Sequence, residues 1–133
     1  MSEIKPGLQG KVERVVEEAI TAQHIGSGSV PVLATPMLIL AMEEASHRAV
    51  APYLPPTQST VGTVVNIRHL AATPLGMKFR AESELVEVDR RRLRFRVVAY
   101  DEQEKIGEGE HERFIVDIEK FAERLKAKAN LRD

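Results

Sequence analysis

This chain has no cysteine and no tryptophan. Without a thiol it forms no disulfide and offers no thiolate nucleophile. Its four phenylalanines and two tyrosines give no platform on which nucleic-acid bases would stack. An excess of charge is missing too: 19 basic residues face 20 acidic ones, for a net charge of −1. That balance draws the chain neither to nucleic acid nor to an anionic membrane. The longest apolar run, Val30 to Met42, is broken by Pro31, Thr35 and Pro36 and falls short of the ~20 residues that cross a bilayer. The start, Met1-Ser2-Glu3-Ile4-Lys5-Pro6, lacks the apolar segment of an export signal. No metal-ligand spacing, phosphate-binding glycine loop or Gly-x-Ser-x-Gly elbow occurs, so neither a metal nor a separate cofactor is expected. What is left is a chain of 133 residues, expected to form one cytoplasmic domain over 1–133.

Pro36-Met37-Leu38-Ile39-Leu40-Ala41-Met42 is apolar on every side of a helix, which predicts a segment buried all round. Thr35 is a good N-cap and Pro36 suits the first helical position. The helix is predicted to run to about Val50 and to stop before Pro52, Pro55 and Pro56. Glu43 follows the apolar run in the same register. A carboxylate is costly to bury unless it is paired or protonated, which makes Glu43 a candidate for chemistry. Glu44 lies about 100° further round the helix and has Arg48 four residues on, the spacing of a surface ion pair. Glu43 has the same spacing to His47. The residues alone therefore leave two readings of Glu43, a reactive carboxylate and a solvated partner of His47.

Around this helix the sequence alternates with a period of two. Gly10 to Ile20 is valine-rich at mixed spacing and leans toward a strand. Ile25-Gly26-Ser27-Gly28-Ser29 reads as a loop. After the helix, Val61, Thr63, Val65, Ile67 and His69 form one face of a strand, with Gly62, Val64, Asn66, Arg68 and Leu70 on the other. A turn at 72–76 precedes Met77, Phe79, Ala81, Ser83 and Leu85 on one face of the next strand. Val88 to Arg91 reads as a hairpin turn, followed by Leu93, Phe95, Val97 and Ala99. A turn at 101–104 leads into a last strand from Ile106 to Ile118, and 119–128 reads as a charged helix with Phe121 and Leu125 on one side. One buried helix with four or five antiparallel strands predicts an α+β layer fold, with a curved sheet wrapped round the helix and dimerisation covering the rest.

Thr35 at the start of the helix, Glu43 within it and His69 on a strand suggest a three-residue acyl-transfer site. Each has a plainer alternative. Thr35 is sufficient as an N-cap, and His69 as a core or interface histidine. His69 is nonetheless the best proton-transfer group in the chain, with His24, His47 and His111 as competitors. Gly62 inside a strand marks a bulge or leaves a backbone N–H near a carbonyl. Arg113 reads as a cross-strand ion pair or as a substrate contact. The cluster Arg90, Arg91, Arg92, Arg94 and Arg96 reads as a solvated hairpin, with a phosphate contact as the other option.

Leu33-Ala34-Thr35, Leu40-Ala41-Met42-Glu43, Ala51-Pro52-Tyr53-Leu54, Val61-Gly62-Thr63, His69, Ala71-Ala72-Thr73-Pro74-Leu75-Gly76, Arg91-Arg92-Leu93 and His111-Glu112-Arg113 resemble the fluoroacetyl-CoA thioesterase-like hotdog proteins. The resemblance covers a core of about 8–125 and keeps the spacing of Thr35, Glu43, Gly62, His69 and Arg113 without a gap. It implies a hotdog fold, in which an antiparallel five-stranded sheet wraps one long central helix. It implies hydrolysis of a short or medium acyl-CoA, with Thr35, Glu43 and His69 catalytic and Gly62 and Arg113 at the substrate. Coenzyme A is then part of the substrate, and the partner is a second copy of the chain. Fluoroacetate-specific members carry bulky aromatics in the segment before the helix, where this chain has His24-Ile25-Gly26-Ser27-Gly28-Ser29-Val30-Pro31 with none. The alternative to an enzyme is a non-catalytic hotdog domain that binds a CoA thioester or a small acyl ligand.

Overall fold

A computed structural model describes residues 3–130; of the span 1–133, residues 1, 2 and 131–133 lie outside the described residues. Five strands make one sheet: β1 Gln9–Val15, β2 Gln58–His69, β3 Lys78–Asp89, β4 Arg92–Asp101 and β5 Lys105–Asp117, in the order β1-β3-β4-β5-β2. Every pairing is antiparallel. A short α1, Ala22–Ile25, precedes the long α2, Thr35–Val50, and α3, Ile118–Asn130, follows the last strand. This is the expected layout of five antiparallel strands around one long helix. The valine-rich N-terminal segment is a strand, but it ends at Val15 rather than running to Ile20.

The period-two faces of β3 and β4 fill the core as expected: Phe79, Ala81, Ser83 and Leu85, with Leu93, Phe95, Val97 and Ala99, are all buried. Helix α2 lays Leu38, Ala41, Met42, Ala45, Ala49 and Val50 on this surface. Its alanines bring the helix backbone close to the sheet. The approach is tightest at Gly10, where a Cβ would run into the Ala45 carbonyl. Gly107 does the same beneath Leu38 and Met42. Inside this contact Ser46 Oγ donates to the Met42 carbonyl at 2.9 Å and meets Ser83 Oγ at 2.8 Å, so the buried hydroxyls are satisfied.

Three expectations change. Helix α2 is not buried all round within one chain: Thr35, Pro36 and Leu40 are exposed, and Met37, Ile39, Glu43 and His47 half-buried. The sheet covers one side of the helix only, and the residues on the other side stay partly exposed. Thr35 is also not the N-cap. Ala34 takes that position with extended backbone, and its carbonyl accepts from Leu38 N at 3.0 Å, which leaves the Thr35 hydroxyl with no capping role. Finally, the alternation along β2 breaks. The register with β5 shifts between Gly62 and Val64, so Thr63 is an extra residue. Gly62 pairs with Arg113, Val65 with His111 and His69 with Gly107. Opposed residues in an antiparallel pair share a face. Gly62 therefore lies on the same inner face as Val65, Ile67 and His69, not on the opposite one.

Candidate active site

The open side of α2 carries two clusters of polar side chains. The first is at the helix start. Thr35 Oγ1 lies 2.7 Å from His69 Nδ1, joining the first residue of α2 to the last of β2. Both ends are pinned through Thr73, whose carbonyl accepts from Leu33 N at 2.8 Å and whose hydroxyl donates to buried Asp101 at 2.9 Å. Leu70 N donates to the Ile106 carbonyl at 2.8 Å and holds the strand just past His69. The other ring nitrogen, His69 Nε2, is buried and has no partner among the described residues. Burial lowers the His69 pKa, with the Ala71 backbone acting the other way. The imidazole is thus poised neutral beside a cavity of about 380 Å³. The cavity walls are mainly apolar, from Ala22, Val30, Val32, Leu33, Leu70 and Ala71. No aromatic side chain from the 24–31 segment enters it.

The second cluster lies two turns along the helix. Glu43 keeps 35% of its side chain exposed and accepts no hydrogen bond among the described residues. Its nearest cation is Arg113, with Nη1 at 3.9 Å from Oε2. Gly62 makes room for this carboxylate: a Cβ there would sit 2.9 Å from Glu43 Oε2 and 3.3 Å from His111 Cε1. Arg113 is buried and fixed by Thr60, with Nε at 2.8 Å from its Oγ1 and Nη2 at 3.0 Å from its carbonyl. Glu43, Arg113, Leu40 and His47 border a second cavity of about 310 Å³, with Glu44 and Arg48 at its rim.

Exposure does not separate the two glutamates, since Glu44 is 36% exposed. Their partners do. Glu44 Oε2 accepts from Arg14 Nη2 at 2.9 Å, across to β1, in place of the expected pair with Arg48. The alternative Glu43–His47 pair does not form either, because His47 Nδ1 lies 2.7 Å from Thr60 Oγ1. In the arginine cluster at the β3–β4 hairpin, Arg91, Arg92, Arg94 and Arg96 spend their charge on ion pairs with Asp117, Glu112, Glu87, Glu110 and Glu84. Among the described residues no group of three or more His, Asp or Glu side chains is placed to hold a metal ion. None of the described helices is long and apolar enough to cross a membrane.

The sequence-predicted residues thus fall into two sets within one chain. Thr35 meets His69, and Glu43 meets Gly62 and Arg113. Eight residues separate Thr35 from Glu43, about 12 Å along the helix axis. Sequence reasoning missed Thr60 and the part His47 plays with it. The available signal was Thr60-x-Gly62 on one strand and His111-x-Arg113 on another, two pairs at strand spacing; only the folded sheet reveals their register, which sets Gly62 opposite Arg113.

The family model for fluoroacetyl-CoA-specific thioesterases matches residues 16–119. The chain is 42% identical over 97 residues to the fluoroacetyl-CoA thioesterase of Streptantibioticus cattleyicolor, covering 73% of this chain and 70% of that protein. A solved structure of the fluoroacetyl-CoA thioesterase superposes with a TM-score of 0.88 at 35% identity, covering 96% of this chain and 98% of that one. A hypothetical protein of Thermus thermophilus in the thioesterase superfamily superposes with a TM-score of 0.87 at 31% identity, covering 99% of this chain and 100% of that one. The fold is the hotdog fold that these neighbours share.

Proposed function

Because this chain belongs to the fluoroacetyl-CoA-specific thioesterase family, we propose that it hydrolyses a short or medium acyl-CoA thioester through Thr35, Glu43 and His69, with Gly62 and Arg113 at the substrate. It acts as one cytoplasmic domain over 1–133, assembled as a homodimer, and needs no cofactor beyond the coenzyme A of its substrate. The observation that carries this reading is the 2.7 Å contact between Thr35 and His69 beside an apolar cavity, with an unpaired carboxylate further along the same helix.

Two half-sites about 12 Å apart on one helix cannot both touch one carbonyl carbon. A two-fold axis resolves this, since in an isologous interface each copy supplies what the other lacks. Pairing α2 and β2 of two copies head to tail sets Thr35 and His69 of one copy against Glu43 and Arg113 of the partner subunit, twice over. The exposed Leu40 and Val65 on this side support such an interface.

The thioester carbonyl then lies at the N-terminus of α2, where the helix dipole favours an oxyanion. Glu43 attacks the carbonyl carbon to give an anhydride that water then cleaves, or takes a proton from the water that attacks it. Thr35 orients the reacting groups through its hydroxyl, and neutral His69 takes up the proton that the hydrolytic water releases, directly or from Glu43, and passes it to the coenzyme A thiolate. The products are a carboxylate and free coenzyme A thiol. Thiol release from a panel of acyl-CoAs tests the reading. Saturable binding without turnover would make the chain a ligand-binding hotdog domain instead.

A further inference from the structure

The chemistry above uses Arg113 but not the groups that hold it. Three contacts commit the guanidinium: Nε to Thr60 Oγ1 at 2.8 Å, Nη2 to the Thr60 carbonyl at 3.0 Å, and Nη1 to His111 Nε2 at 3.1 Å. A guanidinium only donates, so His111 Nε2 must be bare. A carbonyl only accepts, and His111 Nδ1 lies 2.7 Å from that of Val64, so Nδ1 must carry the proton. The two contacts admit one state of His111, neutral and protonated on Nδ1. The Val64 carbonyl is available because the Thr63 bulge interrupts the β2–β5 ladder at this point. On the far side, Thr60 Oγ1 accepts from Arg113 and lies 2.7 Å from His47 Nδ1. This contact ties His47 to the same hydroxyl that anchors Arg113.

We propose that His111 is a positioning residue: a neutral imidazole hung from the Val64 carbonyl, it fixes Arg113 so that one Nη1 hydrogen stays aimed at Glu43. Thr60 and His47 close the clamp from the other side. The use of the clamp lies in the 3.9 Å gap from Nη1 to Glu43 Oε2. That is too long for a hydrogen bond, so Arg113 supplies positive charge without occupying a lone pair the reaction needs. A protonated His111 would set a second cation against the guanidinium. The charged groups facing His111 are Arg113 and Glu112 on β5 and Glu43 on α2. β4 presents Phe95, its ring 6.3 Å away between centroids, and β2 presents Gly62 and Val64. Burial pushes the His111 pKa below its ordinary value against the Val64 hydrogen bond; the Arg113 charge adds to the fall, and Glu43 and Glu112 oppose it.

The proposal rests on Glu43 being the reacting carboxylate, and two measurements keep the two apart. Imidazole ¹⁵N–¹H correlation spectra of the full chain, assigned by the signals lost in His111→Gln, read the proton position directly. The expected spectrum at pH 7 is the neutral Nδ1–H form; an Nε2–H form or an imidazolium overturns the clamp. In kinetics, His111→Phe keeps the ring shape and removes both contacts. Its kcat is expected to fall about 10²-fold, the scale of a misplaced reacting group, with KM within about threefold. His111→Gln, whose amide offers both a donor and an acceptor, should recover to within about tenfold of the native enzyme. Equal losses in the two variants, or a loss confined to KM, overturn the proposal. If His111→Phe does not fold, Thr60→Val removes the other anchor of Arg113 and carries the same expectation. A fully active Glu43→Gln overturns the reading of the site while the spectra still report on the clamp. An inactive Glu43→Gln beside native kcat in His111→Phe overturns the clamp alone.

Discussion

The two sides of α2 follow opposite rules. Toward β1 and β3 the helix is packed to backbone contact, with Gly10 beneath Ala45 and Ser46 bonded to Ser83. Toward β2 it is open: Leu40 and Val65 are 42% and 45% exposed, and Glu43 accepts no hydrogen bond among the described residues. One side holds the fold together and leaves nothing free to react. The other leaves, among the described residues, a carboxylate without a hydrogen bond and one ring nitrogen of the imidazole that meets Thr35 without a partner, at the cost of exposed apolar surface. In the dimer proposed here a second copy covers that surface. A helix apolar on every side then has a reason, since one face meets its own sheet and the other meets its partner.

That division is tested most severely at Gly10. Gly10→Val drives a side chain into the Ala45 carbonyl, and overpacking against backbone is expected to cost about 3 kcal/mol or more. Urea denaturation should show the midpoint lowered by a corresponding amount; native stability would mean that the closed side is soft. On the open side the loss should be of activity. Glu43→Gln is expected to lower kcat at least ~10²-fold with an unchanged melting temperature, and His69→Ala comparably. Thr35→Ser should be milder than Thr35→Ala because it keeps the hydroxyl. Glu44→Gln, which removes only a surface pair with Arg14, should lie close to the native enzyme. An inactive Glu44→Gln beside an active Glu43→Gln would reverse the two faces.

Val65→Asp buries an unpaired charge at the proposed interface. It should give a folded monomer in sedimentation and cut turnover at least about tenfold at micromolar protein. A monomeric variant with full activity would show that one chain suffices. Smaller effects come from the acyl pocket. With no aromatic gate, preference for fluoroacetyl-CoA over acetyl-CoA should stay under ~10³ in kcat/KM. Each methylene added to a straight acyl chain should raise kcat/KM about fourfold until the cavity is full, from about 0.8 kcal/mol of burial. A flat series would place the acyl group elsewhere.

The smallest effect is on stability and pH. Burial lowers the pKa of His47, His69 and His111 in the folded chain. Unfolded, they take up protons near the ordinary value of about 6.5. Below that pH the unfolded state binds more protons, so stability is at its full value above it and falls on acidification toward the lowered folded pKa values. The melting temperature should be lower at pH 5.5 than at pH 7.5, with the more exposed histidines adding least. Native stability rising on acidification would contradict neutral burial.

Much of this was legible in the sequence because one period governed each element. β3 and β4 alternate cleanly, and their buried faces came out as read. The resemblance then picked out Thr35, Glu43, Gly62, His69 and Arg113, which the structure gathers in two sets. What was not legible depends on neighbours far along the chain. Thr35 has a residue type that suits an N-cap, and only the extended backbone of Ala34 shows that the cap lies one residue earlier. Arg14 lies thirty residues before Glu44 in the chain, so no helical spacing announced their pair. Thr60 and His47 became visible only once the register of β2 against β5 was known.

The bulge at Thr63 turns that register into a rule of parity. On a regular strand, side chains an even number of residues apart share a face, and those an odd number apart do not. Gly62 and His69 are an odd number apart and yet share one. An extra residue between them resets the count. In a related sequence, a glycine and a histidine at this same separation on one strand imply an odd number of bulged residues between them. A one-residue deletion there would keep both on the inner face while straightening the strand. Alignment gaps at this point therefore carry conformational information: they mark chains in which the Val64 carbonyl has gone back into the ladder.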